Sequence, residues 1–269
     1  MAEKQAPKDE KKIIEATPEE TEKLEKSEEN KTKETGQVRK QYKRLTREEL
    51  EEQERQRALN EWAPKTRLGK DVLSGKETKI DEILSERKKI LEPEIVDKLL
   101  PIETDLILIG QAKGKFGGGK RRAWRQTQKK TKEGNILSFS CMAVVGDRAG
   151  HIGVGFGRAK ETLPSRAKAI RNAKLNLIKI KRGFETPEEK GNKPHTVPFR
   201  VEGKAGSIRI KLIPAPRGTG LVVGDECKKI LKLAGIEDVY SLTKGHTKTT
   251  FNLAKACLNA LSKTTEGII

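Results

Sequence analysis

The chain reads as an α+β protein: two successive sheet-and-helix units behind a charged N-terminal extension. Its apolar runs are strand-sized, two of them are followed by segments of helical period, and Ser207 to Ile213 (SIRIKLI) alternates with a period of two. The longest apolar candidates, Leu106 to Ile109 and Met142 to Val145, are far short of the ~18 residues that span a bilayer, so no membrane role is expected.

Residues 1–60 are read as an extension. The stretch to about Gly36 is Lys/Glu-rich and nearly free of aromatics, and is expected to be disordered because it has too little to bury. Thr46 to Trp62 begins with a threonine cap followed by glutamate at the third position but lacks a broad apolar face, which predicts a solvated helix. The opening MAEKQAPKDEKK has no apolar segment and is rich in acid, unlike a secretory signal or a mitochondrial presequence. Residues 61–101 hold two short amphipathic helices, around Ile80 to Ile90 and Pro93 to Leu100, and read as a docking segment.

Residues 102–184 form the first unit. Asp105 to Gly110 is a short apolar strand, Lys120 to Lys130 is basic and alternating, and Leu137 to Val145 and His151 to Phe156 are strands joined by the hairpin turn GDRAGH. Glu161 to Lys179 follows as a helix. Its apolar stripe is Leu163, Ala167, Ile170, Ala173 or Lys174, Leu177 and Ile178, and its cationic face is Arg166, Lys168, Arg171, Lys174 and Lys179. A polar linker, 185–194, leads to the second unit, 195–265. There Ile208, Ile210 and Leu212 face a core and Arg209 and Lys211 face water. A helix from about Gly224 to Leu233, a strand near Val239 and a helix from Thr249 to Leu261 complete it, the last with Leu253, Cys257 and Leu261 on its apolar side.

The 57 Lys and Arg against 39 Asp and Glu give a net charge of +18, which predicts a polyanionic partner. The first sixty residues hold 15 basic and 16 acidic side chains, so the whole excess lies beyond Asn60. Gly110 to Asn135 alone carries nine cations and one acid, Glu133, a window of +8. With Phe116 and Trp124 interleaved, such a segment can neutralise phosphates and stack on bases.

Other chemistries are weaker. GKFGGGKR (Gly114 to Arg121) matches the glycines and lysine of a phosphate-binding loop, but Arg121 stands where the magnesium-holding hydroxyl belongs and no helical stripe follows. GVGFGR misses the third glycine of a dinucleotide fingerprint and reads as a strand end turning into a helix. GTGLVVG (Gly218 to Gly224) reads as a tight turn, with anion binding as its rival. Cys141, Cys227 and Cys257 are odd in number and widely spaced, and suggest a reducing compartment. Neither they nor His151, His195 and His246 show metal-ligand spacing, and no nucleophile motif is recognisable. No cofactor, metal, catalytic residue or homo-oligomer is expected.

EGNILSFSCMAVVGDRAGHIGVGFGRAKE, followed by HTVPFRVEGKAGSIRIKLIPAPRGTGLVVGDECKKILKLAGIEDVYSLTKGHTKTTFNLAKACLNAL, resembles ribosomal protein five of the small subunit in its archaeal/eukaryotic form. The likeness runs from about Trp62 to Lys263. It implies an N-terminal domain similar to a double-stranded-RNA-binding fold, then a C-terminal α+β sandwich domain. It implies a structural, non-enzymatic constituent of the cytoplasmic small subunit that binds small-subunit rRNA and contributes to subunit assembly. Neighbouring ribosomal proteins including numbers four and eight, mRNA near the entry channel, and roles in mRNA unwinding and decoding accuracy follow from the same likeness. The family's rRNA-contacting hairpin loop maps to Lys130, Thr131, Lys132, Glu133, Gly134 and Asn135, and its segment at the start of the basic helix to Gly157 through Glu161. The candidate RNA contacts are therefore Lys113, Lys115, Lys120, Arg121, Arg122, Arg125, Lys129, Lys130, Lys132, Gly134, Asn135, Arg158, Lys160, Arg166, Lys168 and Arg171, with Arg217, Lys244 and Lys248 in the second unit. A free RNA-binding translational regulator and a nucleotide-dependent enzyme remain the alternatives.

Overall fold

Three short helices lead into the first sheet. Thr66 caps α1 (Arg67–Leu73), its hydroxyl accepting from the Gly69 N–H at 3.1 Å, an arrangement that contributes about 1 kcal/mol. Sequence reading missed this helix. The next, α2 (Ile80–Ser85), ends five residues before the expected Ile90; α3 (Pro93–Leu99) begins with proline at its first position. The Glu92 carboxylate staples the segment by accepting from Trp62 Nε1 at 2.9 Å, Lys65 N at 2.9 Å and Thr66 N at 2.6 Å. Burial pushes the Glu92 pKa up, but these donors outweigh it and hold the group below its ordinary value. The computed structural model describes residues 53, 56–57, 59–86, 88–112, 119, 121–186 and 193–266. The expected disordered extension, most of the helix over Thr46 to Trp62 and most of the glycine-rich loop lie outside them.

The first sheet is antiparallel and holds β1 (Glu103–Leu106), β2 (Trp124–Thr131), β3 (Gly134–Gly146), β4 (His151–Ala159) and β5 (Leu177–Lys179). Long β3 carries two partners on one edge: β1 registers with its last residues, Glu103 opposite Gly146, and β2 with its first, Thr131 opposite Gly134. On its other edge β4 runs from Ala159 opposite Phe139 to Ile152 opposite Gly146. The helix α4 (Thr162–Leu175) is shorter than expected, and Leu177, Ile178 and Lys179 leave it to pair with β4 as β5.

The stripe that α4 buries is also different. Leu163 is 76% exposed and Ala167 is exposed, whereas Ser165 and Ala169 are buried together with the expected Ala173. The cause is β4: a Cβ at Gly155 would lie 2.1 Å from Ala173 N and 2.2 Å from Ala169 O, and one at Gly157 would lie 2.3 Å from Ser165 O. The glycines let the helix lie on bare backbone, so the facing helical positions must be small, and the larger side chains go elsewhere.

The second sheet comprises β6 (Val201–Ala205), β7 (Ile208–Pro214), β8 (Leu221–Val222) and β9 (Val239–Lys244), in the order β6-β7-β9-β8. Between β8 and β9, which are parallel, runs α5 (Asp225–Ala234), and α6 (Thr250–Glu266) ends the fold. The alternation in β7 holds, with Ile208, Ile210 and Leu212 fully buried. Turn GTGLVVG is a strand-to-helix connection secured by Asp238, whose Oδ1 accepts from Gly220 N at 2.7 Å.

The cores divide by sheet face and not by unit. One face of the first sheet supplies Cys141, Ala143 and Val145 to a cluster with Ala169 and Ala173 of α4 and with Val72, Ile83 and Ile95 of the leading helices. The other supplies Met142, Val144, Ile152 and Val154 to a continuous cluster with Ile208, Ile210, Leu231, Cys257 and Leu261 of the second unit. The first sheet is thus buried on both sides. The Cys257 thiol, hydrogen-bonded to Cys227 and buried, has its pKa pushed well up, which keeps it a core group and a poor metal ligand.

His151 ties this arrangement together. Its ring hydrogen-bonds through Nδ1 with Asp147 at 2.5 Å and through Nε2 with Asp81 of α2 at 2.8 Å, and Lys179 of β5 reaches the same Asp81 at 2.9 Å. His195 is likewise paired, with Asp238 at 2.8 Å.

Candidate nucleic-acid interface

Beyond Phe139, β3 has no partner but β2 among the described residues, so Gly134 to Ser138 form a two-stranded ribbon that projects about 17 Å past β4. The expected loop from Lys130 to Asn135 is narrower than that: Lys130 and Asn135 are register partners within the ladder, and the turn is Lys132 and Glu133, followed by Gly134 at φ +119°. Gly134 through Leu137 are all exposed. A ribbon wet on both faces has no core to bury, which is why it tolerates cations and amides along its length.

Cross-strand register distributes the candidates. Arg125 lies opposite Ser140, and Ser140 opposite Arg158; Lys129 shares that face. Arg158 is steadied by Ser138, whose Oγ accepts from Nε at 2.6 Å. Lys130 falls on the other face, the side covered by α4. Lys168 and Arg171 stand exposed on the outside of α4, and Lys160 is exposed just before it. Arg166 is half-buried beside Thr104, Asp105 and Ile170 in a cavity of about 160 Å³. Exposed Arg122 is held through its carbonyl, which accepts from Gly110 N at 2.8 Å.

Three candidates, Lys113, Lys115 and Lys120, lie outside the described residues. Arg121 is partly spent, since Nη1 pairs with Glu226 of α5 at 3.2 Å. A strand follows the glycine-rich loop where a phosphate-binding loop requires a helix. In the second unit Arg217 sits in the turn beside the Val239 end of β9 and reaches the Lys193 carbonyl at 3.4 Å. Lys244 ends β9, about 17 Å along the strand, with exposed Lys248 just beyond it.

Ion pairing separates the cations into two kinds. Lys174 binds Asp97 of α3 at 2.6 Å and Lys179 binds Asp81, so two of the five cations of the expected cationic face clamp the leading helices. Lys229 does the same between units, reaching Asp105 at 2.9 Å and the Leu106 carbonyl at 2.8 Å. Among the described residues no carboxylate pairs with Arg122, Arg125, Lys129, Lys130, Lys132, Arg158, Lys160, Arg166, Lys168, Arg171, Arg217, Lys244 or Lys248. Sequence reading missed Lys204 and Arg209 as candidates, though the wet side of SIRIKLI pointed to Arg209.

The sequence comparisons agree with this architecture. Residues 123–181 match the model of the ribosomal protein S5 N-terminal domain, and residues 203–266 that of its C-terminal domain. Small ribosomal subunit protein uS5 of Nanoarchaeum equitans is 49% identical over 206 residues, covering 76% of this chain and 88% of the relative. The chain belongs to the uS5 family. Its counterparts from Staphylothermus marinus (44% identical, 78% of this chain and 91% of the relative) and Thermoplasma volcanium (46%, 76% and 86%) show that the uS5 likeness spans both sheets and the helices before them.

Proposed function

We propose that this uS5-family chain binds small-subunit rRNA through the unpaired cations of the β2–β3 ribbon, of the strand segments behind it and of α4 and its approach, namely Arg122, Arg125, Lys129, Lys130, Lys132, Arg158, Lys160, Lys168 and Arg171, with Gly134 and Asn135 at the tip. As a member of its family the chain is a structural constituent of the small ribosomal subunit. The observation that carries the residue assignment is that these cations lack carboxylate partners among the described residues while Lys174, Lys179 and Lys229 have them. Unneutralised cations on a projecting ribbon release counterions when phosphates replace those ions, and an A-form groove is read by shape and backbone. The work is positioning, without covalent chemistry.

The finer reading divides the chain into the docking segment 61–101, a double-stranded-RNA-binding-like domain 102–184, the linker 185–194 and the C-terminal domain 195–265. It puts the protein in the cytoplasm, near mRNA at the entry channel and beside ribosomal proteins four and eight, where a rigid cationic surface favours single strands over duplex and so assists unwinding and decoding accuracy. The test is sedimentation of the tagged full chain: it is expected with small subunits at physiological salt, and recovery chiefly in ribosome-free fractions overturns the reading in favour of a free RNA-binding regulator.

A further inference from the structure

The second sheet covers one face with α5 and α6 and leaves the other open, and register orders that open face into three rows across the strands. The first is Lys204, Arg209 and Lys244, contributed by β6, β7 and β9. The second is Glu202, Lys211 and Leu242. The third is Ile213, Tyr240 and Val222. Leu242 is 47% exposed, Tyr240 41% and Val222 51%. Glu202, the one acid in the rows, is already neutralised by Lys211 at 2.5 Å and Arg200 at 3.4 Å, and the Lys211 bond holds its pKa below the ordinary range. Among the described residues no carboxylate pairs with Lys204, Arg209 or Lys244.

Adjacent rows lie about 7 Å apart. A row of three uncompensated cations therefore stands at one end of an exposed apolar strip along β9, Leu242 and then Tyr240, with Val222 beside the tyrosine. A protein partner fits this poorly, because the core of a protein interface is depleted of charge and here the central strand β7 presents Arg209 and Lys211. Duplex RNA supplies the phosphates but keeps its base faces stacked, leaving nothing to cover Leu242 and Tyr240. We infer that the open face of the second sheet is a binding platform for single-stranded RNA, with the backbone along Lys204, Arg209 and Lys244 and the bases laid on Leu242 and Tyr240. This extends the RNA-binding reading, on which it rests, from the ribbon to a second surface with a different ligand form.

The test uses the full chain, a labelled twelve-nucleotide oligouridylate and a labelled RNA hairpin duplex. The variants are Lys204→Ala/Arg209→Ala/Lys244→Ala, Tyr240→Ser/Leu242→Ser and the ribbon triple Arg125→Ala/Lys129→Ala/Arg158→Ala. All replaced side chains are exposed, and matching thermal transitions check their folding. The cationic triple is expected to weaken oligouridylate binding at least tenfold and to lower its log–log salt slope by about 2, each contact being worth about 0.7. Tyr240→Ser/Leu242→Ser is expected to weaken it at least fivefold without changing that slope. Tyr240→Ser/Leu242→Ser leaves duplex binding unchanged, and the ribbon triple weakens it. Oligouridylate binding that is absent, or unchanged in both face variants, overturns the inference. So does normal oligouridylate binding in face variants that lose a ribosomal-protein neighbour, which assigns the face to protein docking. Failure of the RNA-binding reading itself looks different: the wild-type chain then binds neither probe and does not sediment with subunits.

Discussion

The base and the tip of the first sheet carry similar cations and use them in opposite ways. At the base Lys174 holds Asp97, Lys179 and His151 share Asp81, and Arg148 binds Glu103 at 2.6 Å. At the tip Lys129, Lys130 and Lys132, and just behind it Arg125 and Arg158, meet no carboxylate among the described residues. Acids pair the cations at the base, where helices and strands must be held together, and at the tip only Glu133 of the turn accompanies them among the described residues. Net charge alone does not distinguish these uses. A lysine paired at low exposure contributes to folding, and an unpaired one on a ribbon leaves its charge available to phosphate.

The comparison breaks most completely at the glycines of β4. Gly155→Val is expected to cost more than about 4 kcal/mol or to prevent folding, because backbone atoms of α4 stand 2.1 and 2.2 Å from the new Cβ and cannot rotate away. Denaturant unfolding reads this directly, and a wild-type midpoint would refute the backbone-close seating of α4. At the tip a Cβ on Gly134 meets nothing within 4 Å, and only the positive φ opposes it, so Gly134→Ala should cost about 1 kcal/mol. Next in size is Asp97→Asn. The Lys174–Asp97 pair has side chains 15% and 18% exposed, between the exposed and buried regimes, and losing it should cost about 1–3 kcal/mol while leaving rRNA affinity unchanged. A drop in affinity with unchanged stability would move Lys174 into the interface.

Much of this was legible in the sequence, and the failures share a cause. Period-two alternation identified β7 and its wet Arg209 and Lys211, because a strand half-buried in a sheet records its own geometry. The α4 stripe was misread because Leu163 and Ala167 fit a helical period, while the true partner of the helix is a run of glycines in another strand, which no local period reveals. Lys174 and Lys179 read only as part of a cationic face for a similar reason: their acids, Asp97 and Asp81, lie about eighty or a hundred residues away. The ribbon was legible as charge but not as shape, since its pairing depends on where β4 stops.

The clamp at His151 predicts a pH dependence confined to the base. Burial pushes the His151 pKa down, but its bonds to Asp147 and Asp81 outweigh this and raise it above its ordinary value. Lys179, then His151, hold Asp81 below its usual range; burial raises Asp147, but donors from His151 and Ala149 bring it below as well. A raised imidazole pKa contributes stability that is full below about pH 6.5 and lost as pH climbs through the raised value. The lowered carboxylates contribute stability present above about pH 4 and lost as pH falls through their depressed values. Wild-type Tm is therefore expected to decline between pH 6 and 9 more steeply than that of His151→Gln. Identical alkaline limbs would show that the clamp does not depend on the imidazolium.

The smallest expected change in stability falls at the tip, and it is the one that gives the comparison its functional meaning. Arg125, Lys129 and Arg158 share one exposed face of the ribbon and its strand neighbour and have no ion pairs among the described residues, so replacing all three with Ala should shift stability by no more than about 0.5 kcal/mol per site. The same triple should lower the log–log salt slope of rRNA-fragment binding by about 2 to 3, since each phosphate contact contributes about 0.7 to 0.9. Lys174→Ala in the same assay should leave the slope intact while lowering Tm. A triple that melts early with an unchanged slope would reverse the assignment, making the tip structural. One that loses both would show that the ribbon and the sheet behind it fold as a single cooperative unit, with the unpaired cations contributing to its stability as well as to RNA binding.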